Sequence, residues 1–175
     1  EGAHALADGR AASGRPMFSF GKQAAPACPA PVGITLSPDY GYVLLTLFAS
    51  WVVNYYLIFL VVSARRKYKI EYPTLYAPDT HPNAKEFNSA QRAHQNTLET
   101  WAPVMCLMLA SGVRAPRVAA AFGATWVAGR AIYGAGYAMK GPKGRVVGFA
   151  VATLGGQFPL MFLTAYQGAK MAGLM

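Results

Sequence analysis

Acid is what this sequence is short of. Seven of its 175 residues are Asp or Glu, against 16 Lys and Arg, and charged residues of both signs reach 13%. An ordinary soluble surface carries about twice that share, so a plain water-soluble globule is excluded. Histidine and cysteine are also sparse, at 3 and 2. His4 and His81 lie in irregular stretches far from His94, and no metal is expected. Cys28 and Cys106 provide neither a disulfide framework nor metal-ligand spacing, and Cys106, inside an apolar run, reads as inert packing. The net charge of +9 has no basic stripe interleaved with aromatics behind it, which argues against nucleic acid.

What the chain has instead is hydrophobic residues, at 54%, gathered in long blocks. Residues 1–38 stand apart: rich in Ala, Gly and Pro, without a sustained period, they read as an irregular N-terminal extension. A remnant of an organellar targeting sequence fits their Arg and Ser content, and a tail wrapped on a neighbour fits equally. Residues 39–175 read as an all-α, integral membrane four-helix bundle. Tyr40 to Val62 carries no charge and is about 34 Å long as a helix, enough to span a hydrocarbon core. It leaves through the basic run Ser63-Ala64-Arg65-Arg66-Lys67-Tyr68-Lys69. The proline-rich stretch from Ile70 to Glu86 is turn-forming. A second helix is predicted from near Phe87, capped by Asn88 or Ser89, to Gly112. Pro116 suits the first position of a third helix, which runs to about Met139. A fourth covers about Val146 to Tyr166, where Gly155-Gly156 permits close packing or a kink. The loops after the first and third helices hold Arg65, Arg66, Lys67, Lys69, Lys85, Lys140, Lys143 and Arg145. The positive-inside rule puts them on the cytosolic, matrix or stromal side, facing anionic lipid headgroups.

The costly residues are those carried into the apolar helices. In the run from Phe87 to Glu99, Arg92, Asn96 and Glu99 fall at i, i+4 and i+7, on one face. The third helix brings Arg130, with Tyr133 and Tyr137 at i+3 and i+7 on its own face. Ionisable groups at such depth face a cavity, a partner or a ligand. Cations outnumber anions here, which suits a small ligand with several carboxylates and one amine. The bland alternative is Glu99 paired with Arg92 or Arg130 as a tie between helices. His94 reads as a hydrogen bond between helices, and so does Asn54.

The runs FNSAQRAHQNTLE, SARRKYKIEYPTLY and GRAIYGAGY resemble the membrane-associated eicosanoid and glutathione metabolism family, nearest its type 3 microsomal glutathione transferases. The resemblance covers about Ser37 to the end of the fourth helix. It implies a four-helix subunit, a homotrimer, and glutathione held between neighbouring subunits. The activities it implies are glutathione conjugation to lipophilic electrophiles, reduction of lipid hydroperoxides, or leukotriene C formation, in an endoplasmic reticulum or organellar membrane. Carried over motif by motif, Arg92, Asn96 and Glu99 would hold glutathione, Arg92 on a carboxylate and Glu99 near the amine. Tyr133 and Tyr137 match the tyrosines on the tripeptide, Arg65 a loop arginine that reaches it, and Arg130 completes the polar wall. The thiol-activating arginine falls on Arg145, with Lys143 one register slip away. Thr100 and Trp101 depart from the pattern, which has a tyrosine hydroxyl there. That departure and the long N-terminal extension leave a second reading open, a non-catalytic accessory subunit of a larger organellar membrane complex.

Overall fold

The structure is a computed structural model that describes residue 33 and residues 35–175. The expectations for Cys28, His4 and most of the N-terminal extension therefore lie outside the described residues. Thr35–Met175 forms one compact unit of helices, with no strand among the described residues. Helix α1 spans Tyr40–Tyr68, α2 Ala84–Gly112 and α3 Pro116–Lys140. A 3-10 turn, Gly141–Lys143, leads to α4, Val146–Ala152, which runs through the π-helical Thr153–Gln157 into α5, Phe158–Met171. The last three segments make one rod, so the chain goes up and down four times.

The solvent of this bundle is read from which side of α1 is buried. Its inward stripe contains Thr46, Ser50 and Asn54. Leu45, Phe48, Tyr55 and Phe59 point outward, each about two-thirds exposed. A water-soluble helix does the reverse; small polar groups inside and bulky apolar ones outside are what a lipid surround selects. Tyr40–Tyr68 and Val146–Met171 are both long and apolar enough to cross a membrane, with mean hydropathy 2.0 and 1.7. Helices α2 and α3 carry the polar stripes.

Helix boundaries follow local chemistry. Lys69 adopts a left-handed conformation (φ 56°) and closes α1 by donating its N–H to the Arg65 carbonyl. Pro116 opens α3, where a missing N–H costs nothing. The second helix begins at Ala84, one turn before the predicted start, and neither Asn88 nor Ser89 caps it. Asn88 instead grips the preceding loop: Ala77 N–H donates to Asn88 Oδ1 (2.8 Å) and Asn88 Nδ2 donates to the Ala77 carbonyl (3.0 Å). Cys106 is exposed on α2 rather than packed inside.

Small residues let the fourth rod lie directly on α3. A Cβ on Gly148 would collide with the Tyr133 backbone, and one on Gly144 with Gly136. Gly129 and Gly156 are equally tight, against Ala152 and against Trp126. Residues 144, 148, 152 and 156 recur every four positions, so a single small-residue face sets the contact. That contact places Arg145 and Tyr133 side by side.

Candidate functional site

Each polar group reaches the site by its helix phase. Pro103 sits inside α2 and removes the helical partner of the Glu99 carbonyl, at the foot of the Arg92–Glu99 stripe. On the facing side, α3 contributes a buried arginine: Arg130 is 1% exposed. Its Nη1 donates to Asn96 Oδ1 and its Nη2 to Thr100 Oγ1, both at 2.9 Å. The guanidinium carbon lies 5.3 Å from the ring centres of both Trp126 and Tyr133, within range of attraction to an aromatic face. Asn96 then donates its Nδ2 to Glu99 Oε2 at 3.3 Å. Arg130, Asn96 and Glu99 form one hydrogen-bonded line from core to surface. Among the described residues no Lys or Arg pairs with Glu99; the ion pair present is Arg117 with Asp39, at the other end of the bundle.

Beside this line opens a cavity of about 280 Å³ lined by Asn96, Tyr133, Arg145, Val146 and Phe149. Tyr133 and Tyr137 stack edge to face, with centroids 5.6 Å apart. Arg145 lies over the Tyr137 ring and donates Nη1 to its hydroxyl at 3.5 Å, the outer limit of a hydrogen bond. A second hollow, about 260 Å³, lies on the other side of Tyr137 between Lys85, Ser89 and Lys140. A larger hollow, about 860 Å³, is an apolar groove between α1 and α3 at the Arg117 end. None of the polar stripe lines it, so size does not mark the chemistry here.

Of the residues singled out from the sequence, Asn96, Tyr133 and Arg145 share one cavity, with Tyr137 on its edge and Arg130 behind Asn96. Glu99 adjoins Asn96 at the surface. Arg92 is exposed, beside Tyr76 and within the electrostatic reach of Glu99 and Tyr137. Arg65 stands elsewhere: 8% exposed, its Nη1 donates to the carbonyls of Ile70, Glu71 and Thr74 at 3.2, 3.3 and 2.9 Å. Tyr72 and Phe87 flank it at 4.3 and 4.8 Å. Trp101 points away from the cavity, donating Nε1 to Ser50 on α1 at 3.0 Å. His94 contacts Asn54 at 3.2 Å, Nε2 to Oδ1, across the same helix pair. Two residues join the site without having been singled out for it from the sequence. Thr100 was on the right face, four residues after Asn96; Tyr76, in a loop, had no periodic signal.

A cation, two phenols and an amide against an apolar wall can hold an anion and lower the pKa of a thiol, because a nearby positive charge favours thiolate. Val146 and Phe149 leave the other side of the cavity greasy. The fold and site together define a helical membrane bundle with a cationic polar crevice between its helices. Over residues 43–166 the chain matches the MAPEG family, and it belongs to that family of membrane proteins of glutathione-related or eicosanoid metabolism. It is also 35% identical, over 99 residues, to an uncharacterized protein of Synechocystis sp., a match spanning 56% of this chain and 67% of that protein.

Proposed function

We propose that this chain is a membrane glutathione transferase or peroxidase that ionises the glutathione thiol for attack on lipophilic electrophiles or lipid hydroperoxides. The observation that carries the reading is the single cavity to which α2, α3 and the start of α4 bring Asn96, Tyr133 and Arg145, walled by Val146 and Phe149. Family membership supports glutathione as the thiol. In this reading Arg92 takes a carboxylate, Glu99 the amine, and Asn96 and the two tyrosines the peptide body. Arg145 stabilises the thiolate, whose ordinary thiol pKa is about 8.5. The sulfur then bonds to an electrophilic carbon as the leaving group departs, or attacks a peroxide oxygen as the alcohol leaves. Arg130 acts through Asn96, and Arg65 through the loop it braces, since both guanidinium groups are buried and engaged within the protein. A homotrimer, as in relatives, would close the exposed Arg92–Glu99 side.

Equilibrium dialysis of the full chain in nanodiscs tests this. The protein retains glutathione, and Arg92→Ala weakens binding more than tenfold, the loss of one charge-assisted carboxylate contact worth about 1.4 kcal/mol or more. A wild-type chain that binds no glutathione at millimolar concentration overturns the reading in favour of an accessory membrane subunit.

A further inference from the structure

We propose that Tyr76, in the loop between α1 and α2, is a ligand-binding residue that closes with Arg92 on one carboxylate of the bound tripeptide. This rests on the function proposed above.

The loop does not need Tyr76 to stay in place. Arg65 gathers three of its carbonyls, and the Asn88 side chain clips Ala77 in both directions. Ile70 and Ala77 are buried against Phe87. Residue 76 is thus carried between fastenings on either side. Its ring nevertheless folds back onto α2, where the hydroxyl donates to Gln95 Oε1; Gln95 is three residues after Arg92 and so its neighbour on the helix face.

Arg92 offers only donors, and among the described residues it has no carboxylate within ion-pair distance. A phenol next to such a guanidinium makes a two-residue donor set for one carboxylate, charge from the arginine and direction from the hydroxyl. The Tyr76 proton is held in the meantime by a neutral amide, an acceptor that a carboxylate outcompetes because charge-assisted hydrogen bonds are about twice as strong. Tyr76 brings a phenol to the Arg92 side of α2 from a different element, the preceding loop. Arg65 then has a part in binding without touching ligand: it holds the loop that presents Tyr76.

Glutathione affinity of the full chain in nanodiscs, measured for wild type, Tyr76→Phe and Gln95→Leu, separates the roles. Tyr76→Phe weakens binding about tenfold, a hydrogen bond to a charged group. Gln95→Leu, which frees the hydroxyl, binds at least as tightly as wild type. Equal weakening in both variants, with a matching fall in melting temperature, makes Tyr76 a loop fastener and overturns the proposal; so does unchanged affinity in Tyr76→Phe. Failure of wild type itself to bind strikes the underlying reading and this one together, and is told apart by that first measurement.

Discussion

Asn96 Oδ1 faces Arg130 Nη1 at 2.9 Å across the α2–α3 interface. Arginine has no acceptor, so the amide oxygen must take this side and the NH₂ group must face Glu99 and the crevice. One buried cation thus fixes which way a surface amide points.

Asn96→Leu leaves an Arg130 donor without a partner at a site 1% exposed. Leaving part of a buried charged group unsatisfied costs about 3 kcal/mol. Asn96→Asp keeps an acceptor at the same place and loses less. Thermal unfolding in detergent should rank wild type and Asn96→Asp well above Asn96→Leu. Equal melting temperatures for Asn96→Leu and wild type would mean the bond contributes nothing.

The seam between α3 and the fourth rod makes a sharper stability prediction. Gly148 meets the Tyr133 backbone, whereas Gly168 has nothing within 4 Å of a Cβ. Gly148→Val forces the helices apart and costs about 3 kcal/mol or more; it also separates Tyr133 from Arg145. Gly168→Ala in α5 gains up to about 1 kcal/mol from helix propensity. Thermal unfolding and monodispersity on gel filtration measure both. Comparable behaviour of the two variants would refute the close-contact account.

The spacing of Arg92, Asn96 and Glu99 was readable because a helix turns costly residues to one side at fixed intervals. The start of α3 was readable from Pro116; the basic run after Val62 marks where α1 stops being apolar, but the helix itself continues through it to Tyr68. What each arginine holds was not readable. Arg130 reaches Asn96 and Thr100 because small residues set how deep the helices pack, and a one-dimensional pattern carries no depth. Arg65 is adjacent in sequence to Arg66, yet it turns inward onto carbonyls while Arg66 is exposed. The left-handed Lys69 bends the following loop over Arg65, and that path has no period to read. Tyr76 lies on the same aperiodic path.

The central claim is that the crevice holds glutathione with its sulfur beside Arg145. An ultraviolet difference spectrum of the full chain in nanodiscs, taken as glutathione is added at neutral pH, measures it most directly. The account predicts a saturable thiolate band that Arg145→Ala abolishes while Lys143→Ala retains it. Glutathione bound with no thiolate band, or a band unchanged in Arg145→Ala, would contradict it.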